Sequence, residues 1–77
     1  MQDVEILIKR GQRLLNALEH FKTSNIHELN TCKFYIRQNI KNIRNNREPI
    51  DKYVRLLEMG CERSESFLTK GVTNGVR

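Results

Sequence analysis

Apolar residues return at three- and four-residue steps in three stretches of this 77-residue chain, and no stretch alternates apolar and polar residues between turn signals. That period stacks side chains on one face of a helix. In the first stretch, about 3–22, Val4, Leu7, Ile8, Gly11, Leu14, Leu15, Leu18 and Phe21 share a face. They fill an arc of roughly 140°, while Lys9, Arg10, Arg13 and His20 lie opposite. Asp3 and Glu5 in the first turn and Lys22 in the last suit the helix dipole.

Thr23-Ser24-Asn25 interrupts the pattern. Asn25 and Glu28 are spaced as a reciprocal capping pair, the Asn side chain accepting a first-turn amide and the Glu reaching back. Leu29, Cys32, Ile36, Ile40 and Ile43 then form a second stripe, predicting a helix over about 26–45 that ends near Asn45-Asn46. Pro49 fits the opening turn of a third helix, about 49–69, where its missing N–H costs nothing. Ile50, Tyr53, Val54, Leu57, Cys61, Ser64 and Leu68 carry that stripe past Gly60 without a change of phase, so Gly60 is read as a point of close helix approach. Lys70-Gly71 is the expected stop, and 71–77 the expected short disordered, flexible tail.

The predicted fold is therefore all-α: residues 1–70 form a single domain of three antiparallel helices in an up-down-up bundle. The alternative is a helical hairpin that dimerises into a four-helix bundle. At 77 residues only roughly 60–65% of the unfolded chain's surface is buried, so the core is thin and outside support is valuable. Disulfides are a poor candidate for that support: Cys32 and Cys61 are far apart, without the dense spacing of a secreted scaffold. Residues 1–5 are acidic and the apolar run Ile6-Leu7-Ile8 stops at Lys9, so neither a secretory signal nor a membrane span is expected. A cytoplasmic location follows as the expectation. Metal is a poor candidate too, because His20, His27, Cys32 and Cys61 form no paired ligand motif. No cofactor is expected, and a partner chain is the favoured support.

Charge is uneven along the chain. Residues 1–22 carry net +1, 23–48 net +3, 49–69 net −1 and 70–77 net +2, which sum to the formal +5. Lys33, Arg37, Lys41 and Arg44, extended by Arg47, make a ridge along the second helix that could follow a phosphate backbone. The competing reading is a solvated edge whose long stems cover the core, and the lack of a stacking aromatic ladder favours it. An interfacial membrane role for the amphipathic first helix ranks below an ordinary bundle role.

Catalysis finds no footing. Glu62 and Glu65 flank Arg63 on a charged face, Ser64, Ser66 and Cys61 have no nearby histidine, and the four glycines are scattered singly. The informative surplus is apolar. Leu56, Met59 and Phe67 lie on a shoulder beside the third stripe and widen its arc to roughly 220°, more than an edge helix normally hides. They are read as a face that docks a partner helix from another protein or a second copy. The expected function is thus a non-enzymatic interaction module: an adaptor, co-chaperone or regulatory subunit. A nucleic-acid binder using the second-helix ridge is the alternative.

Overall fold

Each helix begins and ends where its local chemistry closes the backbone. A computed structural model describes residues 3–75, with side chains through Lys70, and holds three helices: α1 (Val4–Glu19), α2 (Ile26–Arg44) and α3 (Ile50–Gly75). Among the described residues there is no strand. No helix there is long and apolar enough to cross a membrane.

Asp3 caps α1 by accepting the Glu5 amide at 3.0 Å. The helix closes at His20, whose N–H reaches the Ala17 and Leu18 carbonyls, so Lys22 lies beyond the last turn instead of in it. At α2, Asn25 accepts the Glu28 amide at 3.2 Å, as the capping spacing predicts. The reciprocal half is different: the Asn25 amide donates to Thr23 Oγ1, and the Glu28 carboxylate turns away to Arg63 of α3. A charged partner offers Glu28 a stronger bond than a neutral amide does.

The end of α2 is a complete Schellman motif. The Asn46 amide donates to the Ile43 carbonyl, the Arg47 amide to the Asn42 carbonyl, and Asn46 sits at φ 55°. Asparagine is among the few residues that tolerate that left-handed conformation. The third helix runs to Gly75 instead of stopping at Lys70-Gly71, since Gly71 permits a helix exit without enforcing one and no proline follows. The expected flexible tail at 71–77 is thus helical through Gly75, and only residues 76–77 fall outside the described residues.

Leu7, Ile8 and Leu18 from α1, Leu29, Cys32, Ile36, Ile40 and Ile43 from α2, and Leu57 and Cys61 from α3 form one core. All three helices pack on one another. Two glycines let them do so. A β-carbon at Gly11 would sit 3.1 Å from Ile36 Cγ2, and one at Gly60 would sit 3.2 Å from Tyr35 Cβ. The reading of Gly60 as a close-approach position therefore holds. Ser64 is fully buried yet satisfied, its hydroxyl donating to the Gly60 carbonyl at 2.7 Å.

Cys32 and Cys61 are both fully buried and unbridged. Loss of solvent raises both thiols above their ordinary range, Cys61 to about 11. At pH 7 a thiol with that value is ionised at about one part in ten thousand. Both cysteines are accordingly expected to react slowly with a thiol reagent in the folded protein and rapidly once denaturant is added. Fast modification of both without denaturant would contradict the helix phases of α2 and α3.

Candidate functional site

The largest exposed apolar side chains away from helix beginnings are Phe34 of α2, 64% exposed, and Met59 of α3, 52% exposed. Each lines a hollow whose walls come from α2 and α3 alone. Phe34 falls outside the Ile36, Ile40 and Ile43 stripe, so α2 cannot bury it together with the core. Met59 follows Leu57 by two residues, a step that turns it away from the core. Ile6 and Ile26 are also more than half exposed, but each stands in the first turn of its helix.

Two hollows that share Tyr35 make a shallow groove along the α2–α3 seam. One, of about 280 Å³, is lined by Phe34, Tyr35, Gln38, Tyr53 and Leu56, with the Asn39 and Asn42 amides and Lys52. The other, of about 120 Å³, is lined by Tyr35, Met59, Gly60 and Arg63. Gly60 lines the second hollow and, lacking a side chain, lets Tyr35 come close to the α3 backbone. Asn39 is buried and uses Nδ2 to bond the Tyr35 carbonyl at 2.8 Å, which fixes the backbone behind the Tyr35 ring.

Of the three shoulder residues singled out in the sequence, Leu56 and Met59 line this groove and Phe67 does not. Leu56 is half-buried. Phe67 lies further along α3, where its ring packs edge-to-face on Phe21 with centroids 5.4 Å apart. Phe67 also packs against the core. The surplus apolar arc of α3 is thus divided between Phe67, which meets Phe21 and also lines two hollows beside Asn25 and Lys70, and the groove at Leu56 and Met59. Phe34 and Tyr35 were the residues that helical phasing of α3 alone could not supply, since they come from its neighbour.

The basic ridge of α2 is only partly open. Glu19 of α1 pairs with Arg37 at 3.0 Å and reaches Lys33 at 3.7 Å, so the first half of the ridge stitches α1 to α2. Lys41, Arg44 and Arg47 are exposed, and Lys41 and Arg44 also complement the C-terminal end of the α2 dipole. Two further ion pairs tie the remaining helix interfaces. Arg63 grips Glu28 with two bonds, 2.6 and 2.8 Å, and Arg10 grips Glu65 in the same bidentate way. The Arg63 guanidinium holds the Glu28 carboxyl below the usual carboxylate range, and Arg10 does the same for Glu65. These pairs are solvent-exposed and screened, so they select which faces meet more than they stabilise.

Glu65 is therefore committed to Arg10, Glu62 is exposed, and Ser64 is bonded inside the core. Comparison of the chain with protein-family models, with characterised proteins and with solved structures gives no match.

Proposed function

We propose that this protein is a small helical interaction module, acting as an adaptor, co-chaperone or regulatory subunit in the cytoplasm, that seats a helix of another protein in the α2–α3 groove. One observation carries the reading: two large apolar side chains on neighbouring helices, Phe34 and Met59, are left more than half exposed, each lining one of two hollows that share Tyr35. Exposed apolar surface that is collected in a groove and rimmed by polar groups marks an interaction site more often than scattered single residues do. Methionine and aromatic side chains suit a helix-in-groove contact because they adapt to a partner's ridges.

The contact pattern supports an up-down-up course. Gly11 approaches Ile36 and Ile40 while Glu19 meets Lys33 and Arg37, so residue numbers fall along α2 as they rise along α1. Glu28 with Arg63 and Tyr35 with Gly60 have the same opposed sense. Gly11 with Leu57 and Phe21 with Phe67 rise together, as first and third helices of such a bundle should. The hairpin dimer has less support, because α1 packs on both other helices within one chain.

The test compares the wild-type chain with a Phe34→Ser/Met59→Ser double variant as immobilised baits in an extract of the native host. Both positions are exposed, so helix content by circular dichroism should be unchanged. A protein retained by the wild type and lost from the variant is the expected result. Equal retention by both baits contradicts the groove as the binding surface. The second reading, nucleic-acid binding, draws on exposed Lys41, Arg44 and Arg47. It requires affinity for non-specific DNA or RNA that falls steeply between two salt concentrations. No binding at low salt removes it.

A further inference from the structure

We infer that the helix seated in the groove is acidic, with its carboxylates gathered toward Lys52 and Lys41. This rests on the reading of the groove as a docking site and adds the chemistry of its occupant. The charged side chains lining the two hollows are Lys52 and Arg63, and no carboxylate lines either one. Arg63 is already satisfied by Glu28. Lys52 lies over the Tyr53 ring, 5.8 Å from its centroid, and has no carboxylate partner among the described residues.

Lys41 extends the same sign. It lines neither hollow, but it follows Phe34 by seven residues and Gln38 by three, which places it on the outer side of Phe34, toward the end of α2 that lies by the first turn of α3. At the Met59 end the flanking charges oppose each other: Arg55 is four residues before Met59 and Glu62 three after it. The charges that line the groove are therefore all basic, while Glu48 and Asp51 near Lys52, like Glu62 near Met59, stand outside its lining. From Lys52 to Arg63 it follows α3 for about 17 Å, enough for roughly three turns of a bound helix.

A second copy of this chain is the poorer occupant. Each copy carries net +5, and a two-fold contact through this face sets the same lysine-bearing surface against itself. An acidic amphipathic helix meets both demands at once, placing its apolar stripe on Phe34, Leu56 and Met59 and its carboxylates beside Lys41 and Lys52.

Two dye-labelled synthetic helices of about four turns decide the matter, with the same Leu/Ile stripe flanked by Glu in one and by Lys in the other. Fluorescence anisotropy is read against the full chain at low salt. The Glu-flanked helix should bind about tenfold more tightly than the Lys-flanked one. Lys41→Glu/Lys52→Glu should remove or invert that preference, and Phe34→Ser/Met59→Ser should abolish binding of both peptides. Equal affinity for the two peptides, or a preference for the Lys-flanked one, overturns the charge inference and leaves the docking reading standing. Binding that survives Phe34→Ser/Met59→Ser, or no binding of either peptide, overturns both. Sedimentation of the chain alone as a dimer that Phe34→Ser/Met59→Ser disperses assigns the groove to a second copy and overturns the inference.

Discussion

Leu57→Ala is expected to lower the unfolding free energy by about 2–5 kcal/mol, enough to leave much of the chain unfolded at 25 °C. Leu57 is fully buried, and its Cδ1 lies 3.4 Å from where a β-carbon would stand on Gly11. It fills the place where α1, lacking a side chain at Gly11, approaches α3. Truncation removes apolar transfer energy and leaves a cavity between helices held apart by Ile36 and Ile40, so collapse is incomplete. Ile40, 8% exposed, should behave similarly when truncated. Met59→Ala, two residues from Leu57 but 52% exposed, should shift stability by no more than about 0.5 kcal/mol. Urea unfolding followed by circular dichroism separates these outcomes. Comparable losses at Leu57 and Met59 would mean that Met59 belongs to the core.

Gly60→Val is expected to be destabilising by about 1–3 kcal/mol, against the usual trend in which replacing a helical glycine helps. A β-carbon there meets Tyr35 Cβ at 3.2 Å and the Ile36 backbone nitrogen at 3.7 Å, and neither is the movable end of a side chain. The two valine methyls reach further, so α2 and α3 must separate, loosening Leu57 and Cys61 beneath them. At Gly11 the nearest atoms, Ile36 Cγ2 and Ile40 Cδ1, are side-chain ends. Gly11→Ala should therefore cost less than Gly60→Val. A thermal melt of the two variants checks the order, and a Gly60→Val chain as stable as wild type would show that the α2–α3 approach is not tight.

Much of this architecture was legible because it is encoded locally. The phases of Leu7, Ile36 and Leu57 follow from a single period, and the Asn25 cap and the Asn45-Asn46 ending follow from residues within one turn. Gly60 could be read as a close approach because the stripe kept its phase through it. What escaped the sequence was the identity of cross-helix neighbours. Phe67 was grouped with Met59 by helical spacing, yet its ring packs edge-to-face on Phe21, from the link after α1. Glu28 was spaced to cap its own helix, and Arg63, thirty-five residues away, draws it off. Phe34 carried a readable signal, a large aromatic outside its stripe, but only the arrival of α3 beside Tyr35 turns it into one wall of a groove.

The most direct test of the groove as the docking surface is amide shift mapping of the full ¹⁵N-labelled chain during titration with the Glu-flanked helix. Perturbations should concentrate at Phe34, Tyr35 and Gln38 of α2 and at Lys52, Leu56 and Met59 of α3, with the outer face of α1 around Lys9 and Arg13 silent. Perturbations centred on α1, or confined to Lys33, Arg37 and Arg44 with the groove unmoved, would contradict the account.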